Sequence, residues 1–246
     1  MPATASNPAR SVWPMPLTDN QIERYSRQII VPGVGGRAQE RLLESCAAIV
    51  GEPGDAASAL AYLTGAGVGQ IVMHPVGDRA PYAAIVERMR DLNPDVRVKI
   101  ANHEMPARCD LILALVGDVS VAEAAARLWN PPHTDAPGTP ETRYGAAIVA
   151  RLDLPGRIAL MPAPPPCPMC AEIDLPGTPG ARAANSGVIL MYAVAEAFKL
   201  LAGYAGQQLA ATLIEFDGYA ARARGIARRR LSGGGGRSRC ACEAAA

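Results

Sequence analysis

The chain has 246 residues, of which 49% are hydrophobic and only 4% aromatic, and its formal net charge is +1. That length allows one large domain or two small ones, with a core built from aliphatic side chains. A nearly neutral chain has no global field to attract nucleic acid or a membrane surface, and no apolar stretch is long enough to span a bilayer. We therefore expect a cytoplasmic protein that binds neither.

The N-terminal part of the chain predicts an arm followed by two helices. Residues 1–16 are rich in Pro, Ala and Ser, and we expect a flexible arm there and a single domain over 17–246. The sequence TDNQ at 18–21 has the spacing of a capping box and predicts a helix start. VPGVGG ends that helix. A second helix is expected over about 37–45, before the apolar strand CAAIVG.

Strands and helices then alternate along the chain. We predict a helix over 54–66, and then the strand QIVM, the helix YAAIVERMRDL, the strands VRVKI and DLILAL, and a helix from Ser120. Beyond a proline-rich loop at 130–145, the patterns predict strands over about 146–152, 157–162 and 210–216 and a helix over about 187–202. Apolar strands alternating with helices are typical of an α/β fold with a doubly wound, Rossmann-like, mostly parallel sheet.

The first strand leads into a turn, IVGEPGDAASAL, that has the position of a nucleotide-binding turn. Glycines such as Gly51 and Gly54 let a phosphate approach the backbone N–H groups of a helix N-terminus. Pro53 removes one of those donors, and Glu52 and Asp55 bring negative charge. The turn is therefore either purely structural or a nucleotide turn whose electrostatics are spoiled.

Two further positions follow strands at the edge where such folds bind ligands. The second strand ends in Met-His-Pro at 73–75 instead of an acid, so His74 is either a ribose ligand or an ordinary loop residue. Asp118 follows DLILAL, where it would either hold Mg²⁺ or cap the helix that starts at Ser120. Arg24 and Arg27 on the first helix either face solvent or reach phosphates across a subunit interface.

The six cysteines are distributed unevenly. Cys46 and Cys109 stand alone beside apolar strand patterns. Two closely spaced pairs have the ligand types of a structural Zn²⁺ site, which would fix the C-terminal tail to a proline-rich loop. Four thiolates leave no open position, so such a zinc would not be catalytic. The alternative is a chance pairing. The four residues are Cys167, Cys170, Cys240 and Cys242.

These elements, in this order, resemble the ThiF/MoeB/HesA family of ubiquitin-activating-type adenylyltransferases over about 17–242. The most specific stretches are LTDNQIERYSRQIIVPGVGGRAQERLLESCAAIVG, LTGAGVGQIVM, LNPDVRV, PCPMC, SGVILMYAVAEAFKLLAG and the last cysteine pair. The resemblance implies a dimer that uses Mg-ATP to adenylate the C-terminal Gly-Gly carboxylate of a small ubiquitin-like or sulfur-carrier protein.

Carried over by position, the resemblance implies roles for some residues and losses at others. Arg27 matches the arginine that reaches the ATP phosphates of the partner subunit, and Asp118 matches the aspartate that handles Mg-ATP. The four paired cysteines match the zinc site. Arg79 is a poor substitute for the arginine of the missing NLxRQ stretch, and Ala183 lies near the place of a catalytic cysteine that some members use.

The cofactor-binding turn and the end of the second strand depart from the pattern that the resemblance implies. Gly51 and Gly54 are what is left of its GxGGxG turn, and Met73 or Pro75 stands in place of its ribose-binding aspartate. We therefore expect a degenerate member with weak or no Mg-ATP binding, a structural Zn²⁺ and a partner. That partner would be a copy of the chain, an intact family member, a Gly-Gly-tailed carrier protein or a peptide.

Two other functions stay open at this point. One is a divergent but active adenylyltransferase that works through Arg27, Arg79 and Asp118. The other is a nucleotide-linked oxidoreductase, against which the missing acid after the second strand and the RYxRQ helix both argue.

Overall fold

The computed structural model describes residues 17–101, 109–129, 144–152, 156–162, 182–204, 212–216 and 227–230. The predicted arm and all four paired cysteines lie outside these ranges. In chain order the elements are α1 (Asp19–Ile29), α2 (Gly35–Glu44), β1 (Cys46–Gly51), α3 (Pro53–Ala66), β2 (Gln70–His74), α4 (Ala80–Leu92), β3 (Arg97–Ile100), β4 (Cys109–Val116), α5 (Val119–Trp129), β5 (Tyr144–Arg151), β6 (Gly156–Pro162), α6 (Arg182–Ala202), β7 (Thr212–Phe216) and β8 (Ala227–Arg230).

These strands form one sheet in the order β3-β2-β1-β4-β5-β6-β7-β8. The first five are parallel to their neighbours, and β6, β7 and β8 continue the sheet antiparallel. The predicted α/β, Rossmann-like, mostly parallel sheet is therefore confirmed, although β8 was not predicted. The strand order reverses between β1 and β4, and in doubly wound sheets ligands bind in the crevice at the carboxyl end of that point.

Helices cover both faces of the sheet. On one face, α2, α3, α4 and α6 pack their aliphatic side chains onto the central strands. On the other face, α5 supplies Val121, Ala122 and Ala125. Because β1 lies between two parallel neighbours and under both layers, all six of its residues are buried.

The predicted start of α1 is confirmed, whereas the predicted start of α6 is wrong by several residues. Thr18 and Gln21 form the predicted capping box, with Gln21 N donating to Thr18 Oγ1 at 3.3 Å and Thr18 N donating to Gln21 Oε1 at 3.0 Å. The long helix α6 starts at Arg182, five residues before the predicted start. It runs through Gly187, because a single glycine costs a helix only about 1 kcal/mol relative to alanine.

A buried polar cluster, which we call the Tyr25 network, ties α1 to the ends of α3 and α4. Asn93 Nδ2 donates to Tyr25 Oη at 2.9 Å and to Thr64 O at 2.8 Å. Tyr25 Oη donates to Asp95 Oδ2 at 3.0 Å, and Arg24 Nε lies 3.2 Å from the same oxygen. Burial raises the pKa of Tyr25 to about 12, so its hydroxyl stays protonated. These contacts join the RY stretch of α1 to the NPD stretch after α4, so both stretches have a structural role.

The glycines of LTGAGVGQIVM are also explained by packing. Gly67 ends α3 in the left-handed conformation (φ 86°), and a Cβ there would lie 2.6 Å from Gln39 Nε2 and 2.8 Å from the Tyr25 ring. A Cβ on Gly69 would collide with the carbonyl group of Leu43. Both positions therefore need glycine for close contacts with α1 and α2, whatever the chain binds.

Cys46 and Cys109, which stand alone in the sequence, are neighbours in the fold. They lie at the amino ends of the neighbouring strands β1 and β4, and a disulfide joins them. Sixty-three positions separate them in the chain, so no local pattern connects them.

None of the helices within the described ranges is long and apolar enough to cross a membrane.

Candidate nucleotide site at the carboxyl edge

The turn between β1 and α3 is a single residue long. Glu52 is the only residue between the end of β1 at Gly51 and the start of α3 at Pro53. Pro53 occupies the first turn, where a missing N–H leaves no helical bond unmade. Asp55 lies in the same turn, next to the positive end of the helix dipole. The N-terminus of α3 therefore already has acids of its own beside it.

The two glycines of this turn differ in what surrounds them. A Cβ on Gly51 would lie 3.0 Å from Leu115 Cβ on β4, so packing between strands accounts for this glycine. A Cβ on Gly54 would meet nothing within 4 Å. Gly54 has no packing reason to be glycine, and it leaves the first turn of α3 open to approach from solvent.

Asp118 caps α5, as one of its two predicted roles required. Its Oδ1 accepts from Ser120 Oγ at 2.7 Å and from Val121 N at 3.1 Å. The hydrogen bond from Ser120 is the main cause that holds the pKa of Asp118 below its usual range, and the bond from Val121 N adds to it. The Glu52 carboxyl group is near enough to Asp118 to contribute to this shift. These two acids lie beside the crevice between β1 and β4.

His74 is a strand residue and not a loop residue. It pairs with Val50 in the β1–β2 ladder and is only 7% exposed. Burial lowers its pKa to about 4, so the imidazole is neutral near pH 7. Nε2 is buried without a hydrogen-bond partner. A neutral imidazole therefore stands where nucleotide folds place a carboxylate for ribose.

Sequence reasoning missed Tyr82, which lies at the same edge. The side chain is fully buried, and Oη donates to Gly51 O at 2.8 Å and accepts from Val76 N at 3.2 Å. Burial is the main cause that raises its pKa, and the charges of Glu52 and Asp118 act in the same direction. Tyr82 thus closes the carboxyl ends of β1 and β2 against each other. A single hint of this role was present in the sequence, which is that Tyr82 is the first apolar residue of the predicted α4 pattern.

The arginines are placed differently from one another. Arg24 is held by Asp95 in the Tyr25 network, whereas Arg27 lies in the last turn of α1 and is exposed. Arg79 is the N-cap residue of α4, and its Nη1 donates to Ala101 O at 3.0 Å. The structure therefore brings Gly51, Glu52 and Asp118 together, while Arg79 binds the end of β3.

A metal site is not formed by the residues that the structure describes: no group of three or more His, Cys, Asp or Glu side chains within them is arranged to hold an ion. The predicted zinc ligands lie outside those residues, so the zinc site remains a prediction.

Comparisons with known proteins identify the family. No family model matches the chain. The sulfur carrier protein adenylyltransferase of Thermus thermophilus is 30% identical over 262 residues, covering 88% of this chain and 90% of its own. This chain belongs to the ThiF/MoeB/HesA family. A second family member, the vegetative HesA protein of Trichormus variabilis, is 27% identical and covers 82% of this chain and 83% of its own.

Solved structures agree on the fold. Escherichia coli MccB with MccA-N7isoASN has a TM-score of 0.61 at 13% identity, covering 85% of this chain and 72% of its own. PaaA has a TM-score of 0.57 at 16% identity. Among the stretches that gave the resemblance, the RY and NPD stretches contribute to the Tyr25 network, and LTGAGVGQIVM contains the packed glycines Gly67 and Gly69.

Proposed function

We propose that this protein is a degenerate ThiF/MoeB/HesA adenylyltransferase that binds Mg-ATP weakly or not at all and acts through a protein partner. The observation that carries the proposal is that Glu52, between β1 and α3, and Asp118, between β4 and α5, both lie at the carboxyl edge beside the crevice between β1 and β4. In an open doubly wound sheet this crevice receives the nucleotide. Here two acids of the chain itself lie beside it.

The electrostatic balance at this crevice supports weak binding. Two like unit charges 4 Å apart repel by about 4 kcal/mol at an effective dielectric constant near 20. A helix N-terminus returns typically ~0.3–1 kcal/mol to an anion and about 2 kcal/mol at most. Glu52 and Asp55 both lie at the start of α3. The repulsion between these acids and a bound triphosphate is therefore larger than the stabilisation that the helix dipole gives it. Pro53 also removes one N–H donor.

The retained features fit a role beside another protein. Arg27 is exposed in the last turn of α1, as a residue that completes a neighbouring subunit's site must be. Similar proteins include an adenylyltransferase of a sulfur carrier protein and MccB in complex with N-formylated MccA. By analogy, we propose as partner an intact family member, a second copy, or a small carrier or peptide. A structural Zn²⁺ on the four paired cysteines is part of this proposal.

Isothermal titration of the full chain with Mg-ATP tests the nucleotide part. We expect no micromolar binding by the natural chain and tighter binding by Glu52→Gln/Asp55→Asn, which removes both charges from the turn. The matched control is Glu87→Gln/Asp91→Asn, which removes two charges from exposed positions of α4 and is expected to bind like the natural chain. Micromolar binding by the natural chain would overturn the proposal.

A divergent but active adenylyltransferase is the second candidate. The observation in its favour is that Asp118 is held ionised at the carboxyl edge while Arg27 remains exposed. Carrier-dependent pyrophosphate exchange would support it. Exchange that is unchanged in Asp118→Ala would count against it.

A further inference from the structure

The cysteine pair of β1 and β4 lies far from the nucleotide crevice and has no part in the proposed function. Cys46 and Cys109 are the first residues of their strands, and their Cα atoms are 4.7 Å apart. Disulfides require Cα separations of about 4.4–6.8 Å, so no backbone movement is needed for the bond to form. Both side chains belong to the apolar cluster beneath α5.

The fold holds these two sulfurs side by side even when they are not bonded. The β1–β4 ladder begins one position further along, at Ala47 opposite Leu111. Cys46 N also donates to Asp110 Oδ2 at 3.0 Å, which fixes the start of β1 against the start of β4. Because these contacts do not involve sulfur, the reduced pair is already positioned for closure, and its effective concentration is high.

Both cysteines are buried, and Cys46 is the less buried of the two. Cys46 is 9% exposed, whereas Cys109 is 2% exposed. Exchange with a dissolved disulfide therefore begins at Cys46, because a thiolate must reach the sulfur that it attacks. Cys109, beside it and shielded, is placed to resolve the mixed disulfide rather than to start it.

We propose that Cys46 and Cys109 are a reversible thiol–disulfide exchange site that takes a low-molecular-weight disulfide as its oxidant. The Cys46 thiolate attacks the disulfide RSSR, forming a mixed disulfide and releasing one RS⁻. The Cys109 thiolate then attacks Cys46 Sγ, forming the protein disulfide and releasing the second RS⁻. Two electrons pass from the cysteine pair to RSSR, and the two thiol protons end on two RSH molecules. Excess thiol reverses both steps.

The consequence is a redox-dependent stability of the β1–β4 half of the domain. The bond closes a loop with a sequence separation of 63, which contains β1, α3, β2, α4 and β3. In the chain-entropy model, a loop of this size gives a substantial stabilisation of the folded state. For a protein of this length we expect the melting temperature to rise by roughly 10 °C or less on oxidation.

The test combines peptide mapping with melting curves on the full chain equilibrated at several ratios of reduced to oxidised glutathione. After alkylation and trypsin digestion, we expect a linked pair of peptides, 42–79 with 109–127, that is lost as reduced glutathione increases. Absence of this linked pair at every ratio would overturn the proposal without any variant having to fold.

Cys46→Ala and Cys109→Ala separate this site from the other four cysteines. Alanine already occupies the next two positions of β1, so a small apolar residue suits this strand. Both variants keep Cys167, Cys170, Cys240 and Cys242, and neither should show a redox-dependent melting temperature. A shift that persists in either variant would come from the other cysteines and would contradict the assignment.

Discussion

The Tyr25 network and the carboxyl edge of β1 are both built from stretches that resemble the same family, but their polar groups are arranged very differently. In the network, Asn93 and Asp95 hold Tyr25 and Arg24 through contacts of 2.9–3.2 Å between groups of opposite polarity or charge. At the carboxyl edge, two acids lie near each other. The difference teaches that a motif retained in sequence can report on folding alone, because the network stabilises the domain whether or not a nucleotide binds.

Breaking the network is expected to give the largest loss of stability. Asn93→Leu removes the donor to Tyr25 Oη and the acceptor for Asp95 N, and it leaves both groups without that partner. Each such orphaned group costs roughly 1–3 kcal/mol, so we expect urea denaturation to show a loss of about 4 kcal/mol in the free energy of unfolding.

Asp91→Ala is the control for this variant, since Asp91 is an exposed residue near the end of the same helix. Surface substitutions of this kind usually stay within about 0.5 kcal/mol. If Asn93→Leu lowered the free energy of unfolding no more than Asp91→Ala does, the Tyr25 network would not be an important source of the domain's stability.

How much of this could be predicted from sequence depends on the distance between the residues involved. Alternation of apolar strands and helices predicted the parallel sheet, and Thr18 with Gln21 predicted a helix start, because both signals are local. The Cys46–Cys109 contact and the bond from Tyr82 to Gly51 O join elements that are far apart in the chain, so no spacing rule reveals them. Asp118 was one residue with two local interpretations; its bonds to Ser120 and Val121 confirm the helix cap, and the Mg²⁺ role stays a prediction.

His74 gives a pH-dependent test of the carboxyl edge. Its folded pKa of about 4 lies below the usual 6.5, because burial disfavours the charged ring. The unfolded chain therefore binds the proton first, so the stability contribution is complete above pH 6.5 and is lost as pH falls towards 4. The shift of roughly 2.5 units corresponds to about 3 kcal/mol.

The measurement is the free energy of unfolding between pH 7 and pH 4 for the natural chain and for His74→Leu. Carboxyl groups titrate in both proteins, so the difference between the two curves isolates the imidazole. We expect the natural chain to lose about 3 kcal/mol more than the variant over this range. Parallel curves would mean that His74 is solvated and that this edge is more open than the structure has it.

The smallest effect concerns Asp118, and it separates the capping role from the charge. Asp118→Ala removes the acceptor for Ser120 Oγ and Val121 N at the start of α5, so we expect a loss of about 1 kcal/mol. Asp118→Asn keeps an acceptor oxygen in the same place, and asparagine caps helices about as well as aspartate. It also replaces one of the two acids that lie beside the crevice. We therefore expect Asp118→Asn to unfold within about 0.5 kcal/mol of the natural chain. If it is instead as unstable as Asp118→Ala, then the negative charge itself stabilises the carboxyl edge. In that case the carboxyl edge, like the Tyr25 network, would be held together by its polar groups.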